Sequence, residues 1–179
     1  MSTLERVSAR TFSFFLGLLA VIGLLGFGLI SKGEDALAVG ERAPEGELPV
    51  LGGTNTGSIA DYRGKWVLVN VWASWCDPCR EEAPDLQRFY RQHRDENFEL
   101  LGIDTQDATD SGLEFAEEYE LTYPQLHDGS GDFAKEQLRT TGVPENFLVD
   151  PEGKLAYVQR GPVNTEILES QIAPLIEAG

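Results

Sequence analysis

Two cysteines, Cys76 and Cys79, are the residues of this sequence whose type and spacing could do chemistry. They follow the apolar run Trp66 to Trp72, and the residues after them have the pattern of a helix. A C-x-x-C motif at this place puts the first sulfur at a helix N-terminus, where the helix dipole and unpaired N–H groups favour a thiolate. The second sulfur falls about one turn into the helix, close enough to form a disulfide. The pattern therefore predicts a redox-active dithiol.

A structural disulfide and half of a zinc site are the alternative uses of such a pair. A disulfide between residues this close in sequence would remove little chain entropy and would stabilise the fold poorly. A four-ligand zinc site would need His93 and His127, which are distant in sequence and lie in no motif, because the chain has only 2 cysteines. The sequence therefore favours the redox use of the Cys76–Cys79 pair and predicts neither a metal site nor a cofactor.

Two longer segments carry a family resemblance. Residues 69–84, VNVWASWCDPCREEAP, resemble the active-site segment of the thioredoxin-like family that includes TlpA, ResA and CcmG (DsbE). Residues 141–150, TGVPENFLVD, are similar to the segment that carries the cis-proline of that family. The resemblance covers roughly residues 40–178 and implies an α/β, thioredoxin-like fold. Such a fold has a central mixed β-sheet flanked by helices, here with the family's extra N-terminal hairpin and central insert.

The hydrophobic pattern predicts the elements that must position the cysteines. The run 66–72 is nearly all apolar, as is typical of a strand buried on both faces. Further strands are expected at 98–103, 123–126, 146–149 and 155–159, with a short hairpin at 47–50 and 57–59. Helices are expected after Cys79 and over 112–120, 133–138 and 165–178, the last capped by Thr165. The region near 106–131 corresponds to the extra helix and strand of the family.

The place of each residue in the motif predicts its role. Cys76, expected to be exposed at the helix N-terminus, should be the attacking thiol, and the more buried Cys79 should resolve the mixed disulfide. Pro78 restricts the backbone between them, and Trp75 should border the disulfide. The charge of Asp77 should raise the thiol pKa, which makes the oxidised form relatively more stable and favours a reductant.

Glu82 is the candidate for proton transfer. It stands one helical turn after Cys79, so it could lie on the side of the active site. The resemblance implies a proton-transfer role for this position. Asn70 strengthens the assignment, because it stands where thioredoxin itself has a buried Asp. The alternative for Glu82 is a solvated charge on the helix surface.

The resemblance also assigns residues to a substrate groove. It implies a cis peptide bond before Pro144, packed beside the disulfide. The backbone of Val143 would then offer strand-like hydrogen bonds to an extended client segment. Glu145, which follows the proline, is expected to line the same groove.

The charge of the chain restricts its partners. A formal net charge of −16 argues against nucleic acid and against an anionic membrane surface, because both are bound through Lys and Arg. A basic or neutral protein surface fits better. The acidity could also serve solubility alone, or adaptation to a salty habitat.

The N-terminal segment predicts a membrane anchor. Residues 12–30 carry no charge, and as a helix they would extend roughly 28 Å, close to the thickness of a hydrocarbon core. The positive charges flanking this segment place residues 1–11 in the cytoplasm. Residues 31–46 then form a linker to an extracytoplasmic thioredoxin-like domain, residues 47–179, on the periplasmic or outer face. A signal peptide cleaved after Ala38 is the alternative, and it too exports the domain to an oxidising compartment.

These observations predict an extracytoplasmic thiol–disulfide oxidoreductase that reduces protein disulfides. The resemblance suggests apocytochrome c, before haem attachment, as the client, and a membrane electron donor of the CcdA/DsbD kind. A general reductase with another client is one alternative. A copper metallochaperone that carries the metal on both thiolates is an alternative from a different functional class.

Overall fold

The computed structural model describes residues 36–94 and 97–178. The expected cytoplasmic segment 1–11 and membrane-spanning segment 12–30 lie outside the described residues. Within the described part of the chain, no helix combines the length and the apolarity needed to cross a membrane.

Two strands form a small hairpin, and five form the main sheet. The hairpin pairs β1 (Leu48–Pro49) with β2 (Thr56–Gly57) in antiparallel fashion. The main sheet has the order β5-β4-β3-β6-β7. Its strands are β3 (Trp66–Trp72), β4 (Phe98–Thr105), β5 (Gln125–Asp128), β6 (Glu145–Val149) and β7 (Leu155–Arg160). Strands β3, β4 and β5 are parallel, whereas β6 and β7 run antiparallel to their neighbours. The predicted mixed sheet is confirmed, and β3 lies at its centre.

Helices cover both faces of this sheet. The two long ones are α1 (Asp77–His93) and α2 (Thr109–Glu118). A 3₁₀ helix (Ile59–Tyr62) precedes β3, and a wide π-helical turn (Phe133–Gln137) follows β5. The C-terminal helical run consists of α3 (Thr165–Ile167), a π-helical segment (Leu168–Ile172) and α4 (Ala173–Ala178).

The ends of several elements differ from the sequence prediction. Asn164, not Thr165, caps the C-terminal run, because its Oδ1 accepts from the N–H of Ile167 at 2.9 Å. Helix α2 ends two residues before the predicted 120, and Glu120 then adopts φ 51°, the left-handed conformation that commonly ends a helix. Strand β5 begins two residues later than expected, after Pro124, which has no N–H to donate to a neighbouring strand.

Strand β3 divides the core between the two faces of the sheet. Val67, Val69 and Val71 pack into the cluster on one face. Leu68 packs on the other face with the apolar side of α1. Side chains alternate along a strand, so Asn70, the one polar residue of β3, is placed on the same face as Leu68 and α1. The sheet thus puts an amide beside the helix that begins at the cysteines.

Candidate active site

The cysteines form a disulfide at the start of α1. The Cys76–Cys79 bond has an S–S length of 2.10 Å, and the two Cα atoms are 5.3 Å apart. Cys76 is the N-cap of α1, and its sulfur accepts a hydrogen bond from the N–H of Cys79 at 3.2 Å. Pro78 lies in the first turn, where its missing N–H leaves no helical bond unmade. Asp77 is exposed beside it, so its charge stands at the helix N-terminus.

Both sulfur-bearing residues are buried in the oxidised structure. Cys76 is 3% exposed and Cys79 is 1% exposed, so the expected exposure of Cys76 is wrong for this state. The reason is packing, since the disulfide belongs to a cluster of buried residues: Leu51, Trp72, Ala73, Ala83 and Phe115. Phe115 of α2 stacks on Trp72, with ring centroids 4.4 Å apart. The predicted central insert therefore helps to enclose the redox pair.

Trp75 and the cis-proline loop lie beside one groove. Trp75 is 56% exposed, and its indole nitrogen donates to the carbonyl of Gln106 at 3.0 Å. The Val143–Pro144 peptide bond is cis, and Val143 packs against the cluster that contains the disulfide. A groove of about 290 Å³ is lined by Trp75, Thr105, Gln106, Gly131, Ala134, Lys135 and residues 140–143. The structure thus brings two of the residues predicted to meet a client, Trp75 and Val143, to the same groove.

Glu82 is buried, not solvated. It is 1% exposed, which excludes the alternative of a surface charge on the helix. Its Oε1 accepts from Nδ2 of Asn70 at 2.7 Å, and its Oε2 accepts from Nδ2 of Asn146 at 3.1 Å. Oε2 also accepts from the backbone N–H of Val163 at 2.9 Å. All three partners are donors, so the arrangement matches an ionised carboxylate.

Burial and hydrogen bonding act on Glu82 in opposite directions. Burial raises the pKa of Glu82 to about 7, although the hydrogen bonds from Val163, Asn70 and Asn146 each favour the ionised form and lower it. A carboxyl group with such a pKa can both accept and release a proton near neutrality. The sequence identified Asn70 as the replacement for a buried Asp. It gave no signal for Asn146 or Val163.

Glu145 does not line the groove as predicted. It is 1% exposed, and its Oε2 accepts from Nη1 of Arg160 at 3.2 Å. Its Oε1 accepts from the N–H and the hydroxyl of Thr141, at 2.8 and 2.6 Å. The reason is strand alternation: Asn146 points to the α1 face, so Glu145 points to the other face, opposite Val71. Glu145 therefore anchors the turn that contains the cis bond.

Neither histidine belongs to the redox site. His93 packs against Phe89, with ring centroids 4.2 Å apart. His127 bonds through Nδ1 to Oδ2 of Asp104 at 2.7 Å. Burial raises the pKa of Asp104 to about 7, and the hydrogen bond from His127 opposes that shift. Among residues 36–94 and 97–178, no group of three or more His, Cys, Asp or Glu side chains is placed to hold a metal ion.

Comparison with known proteins places these features in a family. A model of the AhpC/TSA family matches residues 39–158. The thiol:disulfide interchange protein HelX of Rhodobacter capsulatus is 34% identical over 170 residues, which cover 90% of this chain and 94% of HelX. The thiol-disulfide oxidoreductase ResA of Geobacillus kaustophilus is 31% identical over 172 residues, covering 96% of this chain and 97% of ResA. The thioredoxin domain of a thiol-disulfide oxidoreductase from Bacteroides vulgatus superposes with a TM-score of 0.70 at 29% identity, covering 79% of this chain and 99% of that domain.

Proposed function

This chain belongs to the AhpC/TSA family of thioredoxin-like proteins and is a thiol–disulfide oxidoreductase, and we propose that it acts as an extracytoplasmic reductant of protein disulfides. The observation that carries the proposal is the Cys76–Cys79 pair at the start of α1, with a buried carboxylate, Glu82, one helical turn further on. The pair supplies two electrons, and the carboxylate can take up the proton that each thiol must lose.

The reaction runs in two exchanges. The Cys76 thiolate attacks one sulfur of the client disulfide, which forms a mixed disulfide and releases the first client thiolate. Cys79 then loses its proton and attacks the sulfur of Cys76. This step closes the Cys76–Cys79 disulfide and releases the second client thiolate. The client has gained two electrons, which the cysteine pair has lost, and each client thiolate takes up a proton.

Two features support electron flow toward the client. The sulfurs lie in an apolar cluster, where burial disfavours a thiolate. Asp77 adds a negative charge at the same helix end. A less stabilised thiolate makes the disulfide form of the pair relatively more stable than the dithiol form. The dithiol form then gives up its two electrons readily, which is the property of a reductant.

The reduction potential tests this direction. Equilibration with a glutathione or dithiothreitol buffer, read by alkylation of free thiols, should give a potential on the thioredoxin side of the known range. A potential above about −180 mV, the value of protein disulfide isomerase, would contradict the proposal.

The client we propose is apocytochrome c before haem attachment. The motif segments 69–84 and 141–150, which resemble those of TlpA, ResA and CcmG, support this choice, and the groove beside Trp75 and Val143 could hold an extended segment. Cys79→Ser should trap the client as a mixed disulfide on Cys76, because the resolving thiol is missing. Mass spectrometry of the trapped species identifies the client, and Cys76→Ser is the control that should trap nothing. A general reductase would instead trap many unrelated proteins.

We also propose that the domain from residue 47 onward is held outside the cytoplasmic membrane. The support is the uncharged segment 12–30, with Arg6 and Arg10 before it and only Lys32 close after it. A membrane thiol donor of the CcdA/DsbD kind would then return two electrons to the oxidised pair. Protease added to intact spheroplasts should digest the domain while the membrane retains the N-terminus. Mature protein that is soluble and begins near Val39 would support a cleaved signal peptide instead.

A further inference from the structure

The backbone just ahead of Cys76 is held by two charged side chains from outside the C-x-x-C motif. The N–H of Ser74 donates to Oδ2 of Asp107 at 2.6 Å. The carbonyl of Ser74 accepts from Nη2 of Arg80 at 2.5 Å. Both backbone polar groups of Ser74 are thus bound by charge-assisted hydrogen bonds, which are shorter and stronger than neutral ones.

A second contact joins the loop that carries Ser74 to the loop after β4. The indole of Trp75 donates to the carbonyl of Gln106, the residue before Asp107. Gln106 adopts φ 52°, a left-handed conformation that residues with a side chain rarely take. Its own N–H donates to the carbonyl of Asp128 at 3.0 Å. A residue in such a conformation persists only where its surroundings fix it. The turn after β4 is therefore well fixed where it contacts the loop that precedes Cys76.

Asp107 is itself fixed in place. Its Oδ1 accepts from the N–H of Ala108 at 2.9 Å, at the N-terminal end of α2, where a negative charge is favoured. The same helix carries Phe115, which stacks on Trp72 and lies 5.7 Å from the guanidinium of Arg80. The side chains that bind Ser74 therefore lie next to the aromatic residues that pack around the disulfide.

We propose that Asp107 is a positioning residue of the reaction: by holding the N–H of Ser74, it fixes the loop that presents Cys76 to the client. The contact involves neither sulfur, so it persists when the disulfide opens and the covalent link between residues 76 and 79 is lost. A thiolate held in one geometry reacts faster than one that moves with a free loop. The proposal rests on the thiol–disulfide exchange assigned above, but not on the identity of the client.

Three variants distinguish a positioning role of Asp107 from an effect of its negative charge. Asp107→Ala removes the acceptor and the charge, whereas Asp107→Asn removes the charge but keeps an oxygen that can accept from Ser74. Asp110→Ala removes an exposed carboxylate from the first turn of α2 and serves as the matched control. The measurement is the single-turnover rate at which reduced protein cleaves the small disulfide 5,5′-dithiobis(2-nitrobenzoate), as a function of pH.

Asp107→Ala should lower this rate by about tenfold or more at every pH. Asp107→Asn should stay within about threefold of the wild type, and Asp110→Ala should equal it. The intrinsic fluorescence of reduced Asp107→Ala should also change, because the contact between the Trp75 indole and the carbonyl of Gln106 is no longer held in one geometry. Equal effects of Asp107→Ala and Asp107→Asn, expressed as a shift of the pH profile, would show that charge and not position matters, and would overturn the proposal. A wild-type rate in Asp107→Ala would overturn it as well.

A measurement on the wild type keeps the proposal testable if Asp107→Ala does not fold. The amide proton of Ser74 should be protected from hydrogen exchange in both the oxidised and the reduced protein, because Asp107 accepts its hydrogen bond in both states. Rapid exchange in the reduced protein would contradict the proposal. If the wild type and Asp110→Ala both fail to cleave the probe, the oxidoreductase function itself fails, and the two failures are thereby distinguished.

Discussion

Asn70 and Asn146 lie directly opposite each other on the antiparallel strands β3 and β6, and both direct their amide nitrogens at the carboxylate of Glu82. Nδ2 of Asn70 also donates to Oδ1 of Asn146 at 3.0 Å, which fixes the orientation of both amides. The carboxylate is therefore held by a rigid pair of donors. These donors favour the ionised carboxylate and so oppose the effect of burial, which raises the pKa of Glu82 to about 7.

Glu82→Gln should slow reduction of a disulfide client, because resolution by Cys79 loses its base. It should also lower the pKa of Cys76, because a nearby negative charge is deleted. The measurements are the pH dependence of Cys76 alkylation and the single-turnover rate of client reduction. Glu81→Gln, at the neighbouring exposed carboxylate, is the control and should leave both unchanged. Superimposable curves and equal rates in Glu82→Gln and the wild type would remove Glu82 from the mechanism.

Asn146→Ala should raise the pKa of Glu82 further above its ordinary value, because the hydrogen bond from Asn146 favours the ionised form. The step in the pH profile of client reduction that depends on Glu82 should move to higher pH. Asn164→Ala is the control: it removes the cap of α3 and should cost about 1 kcal/mol of stability without moving that step. An unshifted profile in Asn146→Ala would mean that the amide pair does not tune Glu82.

The free energy of unfolding should fall as pH rises through the range that Glu82 titrates. Its pKa is about 7 in the folded protein and 4.5 for an unperturbed Glu, so the folded state binds the proton more tightly. The stabilisation is present below about pH 4.5 and is lost as pH rises to about 7, a change on the order of a few kcal/mol. Asp104, with its raised pKa, contributes in the same direction.

Urea unfolding of the oxidised protein at pH 5 and pH 8 measures this change. Glu82→Gln should gain stability relative to the wild type between pH 5 and pH 8, because it has no proton to lose, while the contribution of Asp104 cancels in the comparison. The idea fails if the difference between the two proteins is the same at both pH values.

Arg160→Met should destabilise the fold by roughly 2 kcal/mol at pH 7, because it leaves the buried carboxylate of Glu145 without its cation. The partial exposure of Arg160 keeps this value below that of a fully buried pair. Arg91→Met breaks the exposed pair with Glu120 and should cost less than about 1 kcal/mol. Denaturant unfolding compares the two, and equal losses would show that burial of Glu145 adds nothing.

Glu145→Gln should leave the pH dependence of Cys76 alkylation unchanged, because Glu145 lies on the sheet face opposite Asn146 and is bound by Arg160 and Thr141. The same alkylation curves that test Glu82 decide this point. A shifted curve in Glu145→Gln would show that Glu145 interacts with the redox pair despite its place on the other face of the sheet.

The sequence by itself determined the features that depend on neighbouring residues. The C-x-x-C spacing places two sulfurs within reach of each other on any helix that begins there. The apolar run of β3 required a strand buried on both faces, and the motif around Pro144 carried the family match from which the cis bond, now observed, was expected. Such features are encoded locally, because each follows from the geometry of a few consecutive residues.

Tertiary structure decided which polar groups meet around the redox pair. Glu82 bonds to Asn146 and Val163, which are 64 and 81 residues away, and Ser74 bonds to Asp107, which is 33 residues away. These pairs depend on the register between β3 and β6 and on the path of the loop after β4. A shift of one residue in that register would exchange Asn146 for Glu145 on the face of α1, because side chains alternate along a strand. No local pattern in the sequence fixes that alignment, so the burial and the proton affinity of Glu82 follow only from the folded chain.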